Sequence, residues 1–178
     1  MGERLGVVVG VDGSSESRAA LLFALKEAVR RNTGLRVVSV LVPPQFWPNA
    51  YGLAAPPTIG QMLDDLRVIA RHLVNGVVAE RPDLAAVPVQ LHEVEGRPAE
   101  VLVDQSRGAD LLVVGHRGRG GFASALLGSV GLQCLMHAEC PVTVVRPAPT
   151  PQTEREERPA VEHVVRPAFA DTIVGPLY

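Results

Sequence analysis

A chain of 178 residues, 47% of them hydrophobic, is long enough for one cored domain with an extension and too apolar for wholesale disorder. Its formal net charge of −2 supplies no general drive toward nucleic acid or an anionic membrane, and no apolar run approaches the length of a membrane span. Two cysteines, Cys134 and Cys140, are too few for a disulfide framework, and the apolar run after Arg4 is too short for a secretory leader, so reduced thiols and a cytoplasmic location are expected.

Leu5 to Val11 is β-branched and apolar, as a central strand should be. It ends in Asp12-Gly13-Ser14-Ser15, where Asp and Ser can cap a following helix. From Ala19 to Val29, helical spacing puts Ala20, Leu21, Ala24, Leu25 and Ala28 on one face. Asn32-Thr33-Gly34 reads as the stop signal, and Leu35 to Val42 as the second strand. Pro43 to Pro57 is a long proline-rich loop carrying Phe46, Trp47 and Tyr51. Thr58 to Glu80 reads as a helix with Met62, Leu66, Ile69, Leu73 and Val77 on its apolar face. A third strand spans Val87 to Val94. Gly96-Arg97-Pro98 leads into a short helix from Ala99 to Arg107, and Leu111 to Val114 is a fourth strand. A glycine-rich stretch follows, then a helix from Ser129 to His137 and a last strand from Pro141 to Val145. Proline at the start of that strand suits a sheet edge, where a missing N–H is tolerated. Residues 147–159 are proline-rich and charged, which suits a solvated linker; the final stretch to Tyr178 turns apolar again without a clear period.

Strands and helices thus alternate five times. The expectation is an α/β fold: a flavodoxin-like, Rossmann-like doubly wound sheet of five parallel strands in the order 3-2-1-4-5. In such a sheet the ligand crevice opens where the order reverses, outside the C-terminal ends of the first and fourth strands. Asp12 and Gly115 stand at those two ends.

The stretch from Asp110 to Ser129 runs strand, glycine-rich loop, helix start. Glycines let backbone N–H groups approach an anion, and the first N–H groups of a helix are unsatisfied donors at a positive dipole end. Ser129 adds a hydroxyl, and Arg117 and Arg119 add positive charge. A phosphate cradle fits these features. So does a plain connection with Ser129 as helix cap. The stretch lacks the Gly-Lys-Ser/Thr of a Walker A loop and the short Gly-x-Gly-x-x-Gly dinucleotide turn.

Gly115, two residues, Gly118, nine residues and Gly128-Ser129 form a spacing that resembles the ATP-binding signature of the universal stress protein family. Three segments carry the same resemblance: Val8-Val9-Gly10-Val11-Asp12-Gly13-Ser14, with Ser17 and Ala20-Leu21 following; Gly96-Arg97-Pro98 through Ala109-Asp110-Leu111-Leu112-Val113-Val114-Gly115; and Gly128-Ser129-Val130 through His137-Ala138-Glu139-Cys140-Pro141-Val142-Thr143-Val144-Val145-Arg146. The similarity covers residues 5–146, which sets a nucleotide-binding domain over 1–146 and an extension over 147–178. It implies ATP as ligand, with or without Mg, in a stress-response signalling role. It places Asp12 near the adenosine, the backbone of Val40 at the adenine, and Gly115, Gly118, Gly128, Ser129 and Val130 at phosphates and ribose. Charge and position alone put Arg117 and Arg119 near phosphate. The resemblance also implies a homodimer through the edge strand Val142 to Val145. Gly131 departs from the pattern: a hydroxyl residue is usual there, and its absence removes a candidate phosphate ligand.

Asp12 is the sole acid expected at the crevice, so efficient ATP turnover is not expected, and no membrane or nucleic-acid partner is. A slow nucleotide hydrolase and a dimeric interaction module without nucleotide are the alternatives. A phosphoacceptor receiver on the same topology would need an acidic cluster and a lysine that are missing. Glu93 and Glu95 share a face of the third strand and are expected in solvent; His116 is expected to be solvated, and Cys134 to be core.

Overall fold

The computed structural model describes residues 6–42, 57–118 and 127–147. These all belong to one compact unit, Met1–Pro147; Ala148–Tyr178 form a second. The expectations for Leu5, for the loop at 43–56, for Arg119 and for the extension beyond 147 lie outside the described residues.

In chain order the elements are β1 (Val7–Val11), α1 (Ser15–Arg31), β2 (Leu35–Leu41), α2 (Ile59–Glu80), a 3₁₀ turn (Pro82–Leu84), β3 (Val89–Glu95), α3 (Pro98–Gln105), β4 (Leu111–Gly115), α4 (Ser129–His137) and β5 (Val142–Val145). The strands form one sheet in the order β3-β2-β1-β4-β5. All four pairings are parallel, with Val7 beside both Leu35 and Leu111, Val37 beside Leu91 and Val113 beside Thr143. This is the expected doubly wound sheet.

Alternation along the strands splits the core in two. Val7, Val9, Val11, Leu111 and Val113 point to one face and pack with Leu21 and Leu25 of α1 and Val77 of α2. Val8, Leu112 and Val114 point to the other and pack with Leu102 of α3 and Cys134 of α4. Because β1 and β4 are buried on both sides, they read as unbroken apolar runs rather than alternating ones. Full burial of Leu21 and Leu25 contributes about 2 kcal/mol each by area.

Two helix ends show why the elements stop where they do. Ser14 is the N-cap of α1: its Oγ accepts from Ser17 N at 3.1 Å. Asn32 ends the helix in the left-handed region, at φ 50°. That conformation is tolerated by Asn better than by most residues and lets the N–H of Thr33 reach Ala28 O at 3.0 Å. Thr58 and Gln61 form a capping box at the start of α2.

The buried stripe of α2 differs from the expected one. Ile69 is 41% exposed, and the small Ala70 is buried in its place with Val77. Glu93 also departs from expectation. Its side chain is only 2% exposed and its Oε2 accepts from Arg67 at 2.9 Å, while Glu95 is exposed as expected. The cause is α2, which packs over β3 and brings Arg67 onto the strand.

Candidate functional site

The loop after β1 runs to α1 on one face of the sheet, and the loop after β4 runs to α4 on the other. Between them opens a cleft of about 470 Å³. That lies within the range of small-molecule sites. On the β4 side it is lined by Asp12, Gly115, Arg117, Gly118, Gly128, Ser129 and Val130, and on the β2 side by Val38, Val40, Val42, Pro98 and Leu102. All eight described residues singled out in the sequence, from Asp12 and Val40 to Val130, are therefore brought to one cleft.

Three glycines sit in close quarters. A Cβ on Gly118 would come within 2.6 Å of Asp12 Oδ2. A Cβ on Gly128 would come within 3.3 Å of His116 O and 3.4 Å of Arg117 Cα, and one on Gly115 within 3.1 Å of the Glu16 backbone. Gly128 N donates to His116 O at 2.8 Å, and His116 N donates to Val145 O at 2.9 Å. The two ends of the glycine loop are thus tied to each other and to the end of β5. Gly128 is also the N-cap of α4, and it offers no side chain to the helix's first N–H groups. Ser129, Val130 and Gly131, the first residues of that helix, line the cleft. Gly131 is buried there. Its bare Cα offers the wall no hydroxyl.

Asp12 does not itself cap α1. Its Oδ1 accepts from Ser14 N at 3.0 Å and from Ser14 Oγ at 2.6 Å, so it holds the capping serine. Its other oxygen is the one turned toward Gly118. As expected, Asp12 is the one acid among the described residues that line the cleft; a second acid lies behind it. Glu16, at the start of α1, backs onto Gly115. Its carboxyl is held below the usual range first by the Ser15 hydroxyl, which donates to it at 2.8 Å, then by its own backbone N–H and by His116 nearby. The expectation of a solvated His116 is revised: the residue is half-buried and its Nδ1 is buried.

Sequence reasoning missed Gly10, Val11, Ser17, Val38, Val42, Pro98, Leu102 and Val114 as lining residues. Gly10 carried a signal, as a glycine inside an otherwise all-valine strand. Val38 lies two residues before Val40 and so shares its face. Leu102 and Pro98 lie on a helix whose place over the cleft has no local mark. Among the described residues, no three His, Cys, Asp or Glu side chains gather so as to hold a metal ion, and no helix is long and apolar enough to cross a membrane.

Fold and cleft together define a class: flavodoxin-like α/β proteins with a glycine-lined cleft at the point where the strand order reverses. Within that class, the chain belongs to the universal stress protein family, whose model matches residues 6–146. It is 32% identical to the universal stress protein Rv1996 of Mycobacterium tuberculosis over 183 aligned positions, covering 96% of this chain and 53% of that protein. The chain spans about half the length of the curated relatives it matches. Among solved structures it is similar to a family member from Burkholderia pseudomallei, at 26% identity and a TM-score of 0.55, with 83% of this chain and 99% of that one covered. It is also similar to a universal stress protein in complex with cAMP, at 28% identity and a TM-score of 0.52, with 79% and 94% covered.

Proposed function

We propose that this chain binds ATP in the cleft between β1 and β4 and acts as a nucleotide-dependent stress-response signalling protein of the cytoplasm. The observation that carries the reading is the convergence of Gly115, Gly118, Gly128 and Ser129 on one wall of a cleft whose other wall is apolar. A phosphate chain suits the first wall, where backbone N–H groups and the dipole of α4 favour negative charge. A flat base suits Val38, Val40, Val42 and Leu102. The solved relative that holds cAMP supports an adenine nucleotide as the ligand class. The free thiols of Cys134 and Cys140 support a reducing compartment.

A Mg ion accompanying ATP would be held chiefly by the phosphates, with Asp12 the carboxylate that lines the cleft. Gly118→Val is expected to push the Asp12 carboxylate aside and fill the cradle. Isothermal titration should show ATP affinity lost while circular dichroism shows the fold kept; unchanged affinity would refute the site.

The reading includes binding without efficient turnover. Phosphoryl transfer needs a metal-holding acid and a group that positions the attacking water. Glu16 and His116 stand close by, but neither lines the cleft. Purified protein should hydrolyse ATP far more slowly than ~1 s⁻¹, the low end of ordinary enzyme rates. A rate at or above that value would reassign the protein as a nucleotide hydrolase.

The reading also includes a homodimer through β5. That strand is an edge of the sheet, and its four residues, Val142–Val145, are only half-buried. An open apolar edge is a template for another strand.

A further inference from the structure

Gly10 interrupts the valine run of β1, and the sheet register shows what the interruption does. Gly10 pairs with Val38 of β2. Continuing the register that pairs Val9 with Val113 sets it beside Val114 of β4. Val38, Gly10 and Val114 thus form a row across three neighbouring strands, and all three line the cleft. The row has side chains at its ends and none in the middle.

Leu102 of α3 occupies that middle. A Cβ on Gly10 would lie 2.8 Å from Leu102 Cδ1 and 3.0 Å from Cδ2, closer than packed carbons allow. Leu102 is only 4% exposed and shares its core cluster with Val8, Val38 and Val114. Those neighbours close off the sheet side, so the space open to a displaced Leu102 is the cleft. The absence of one methyl group on β1 lets a leucine from α3 sit down into the row.

We propose that the Gly10–Leu102 pair sets the depth of the cleft's apolar end and makes it select a fused-ring base over a single-ring one. This rests on the nucleotide reading above and deepens it, assigning base selection to a residue outside the glycine signature. A purine buries more flat apolar surface than a pyrimidine, and only a low floor lets it lie fully in contact. Raising the floor removes the advantage of the larger ring, while the phosphate wall across β1 is left as it was.

The test is equilibrium dialysis of ATP, CTP and pyrophosphate against the full chain and four variants. Wild type should hold ATP about tenfold more tightly than CTP, the order expected when one extra ring is buried. Gly10→Ala should lose most of that preference and leave pyrophosphate binding unchanged, which also reports that the fold and the cradle are intact. Leu102→Phe raises the floor without touching β1 and should do the same. Leu102→Ala should keep the ATP preference, and the double variant Gly10→Ala/Leu102→Ala should recover it, because the added methyl then meets no leucine. ATP binding that neither Gly10→Ala nor Leu102→Phe weakens, or a double variant without recovery, overturns this inference while leaving the cleft as a nucleotide site. A wild-type chain that binds pyrophosphate but shows no preference for ATP over CTP also overturns it. A wild-type chain that binds no nucleotide overturns the reading beneath it, and this inference with it.

Discussion

His92 and Glu93 are neighbours on β3 with opposite fates. Glu93 turns toward α2 and meets Arg67. His92 turns to the other face, where burial first and the Arg36 guanidinium second hold it below its ordinary value of 6.5. The sign follows from linkage. Protonation is disfavoured in the folded chain, so as pH falls through 6.5 the unfolded chain takes up the proton first. The stability associated with neutral His92 is present above that value and lost below it. His92→Gln should therefore flatten the fall in urea-measured stability just below that pH; an unchanged slope would remove His92 as a contributor. Cys134 shows the same physics in a thiol. Burial, with Cys140 adding to it, pushes Cys134 up to about 11, which makes it a core residue rather than a nucleophile. The main causes of both shifts lie outside the local sequence: His92 is perturbed by its burial and by Arg36 on the strand that pairs with its own, and Cys134 by its burial.

Elements were legible to the degree that local rules dominate them. β1 and β4 announced themselves because burial on both faces demands continuous apolar runs. α1 did so because its buried stripe, its capping serine and its left-handed Asn32 all agree. α2 was harder: it lies over the sheet edge, only Ala70 and Val77 are buried in it, and an alanine does not stand out in an apolar pattern. β3 was seen roughly, since an edge strand half in water has a weak pattern. The site divides the same way. Asp12 and the glycines were visible because backbone approach dictates them. The apolar wall was mostly hidden, because a leucine facing a ligand looks like a leucine facing the core. The start of α1 offers a test at this scale. Ser14 Oγ both accepts from Ser17 N and donates to Asp12. Ser14→Ala should lower stability by about 1 kcal/mol in urea denaturation. Because it also removes the hydroxyl that donates to Asp12 Oδ1 and leaves only the Ser14 N–H from that residue, ATP affinity should fall with it; a stability loss with affinity unchanged would show that the cap and the cleft are independent.

For the molecule as a whole, the two sheet edges differ. β3 is partly covered by α2 with the Arg67–Glu93 pair, whereas beside β5 the described face of α4 leaves Leu132, Leu135 and Met136 about half or more exposed. An antiparallel pairing of β5 with its own copy would close that edge by a two-fold axis. Light scattering should give a dimer for the full chain and for a chain ending at Pro147. A monomeric full chain that dimerises only on truncation would show instead that the extension covers the edge. The strand order carries a further consequence, for the order of events during synthesis. The central strand is made first, but its second neighbour, β4, follows 100 or so residues later, which at ribosomal speed is a delay of about 5–20 s. In that interval β1, β2 and β3 can assemble with α1 and α2 into a half-sheet whose open side is the inner edge of β1. Only when β4 and α4 emerge is that edge filled, and the same step creates the cradle. A nucleotide bound in this cleft as proposed could therefore engage only after the last docking event, and could not act as a template for the half-sheet that forms before it.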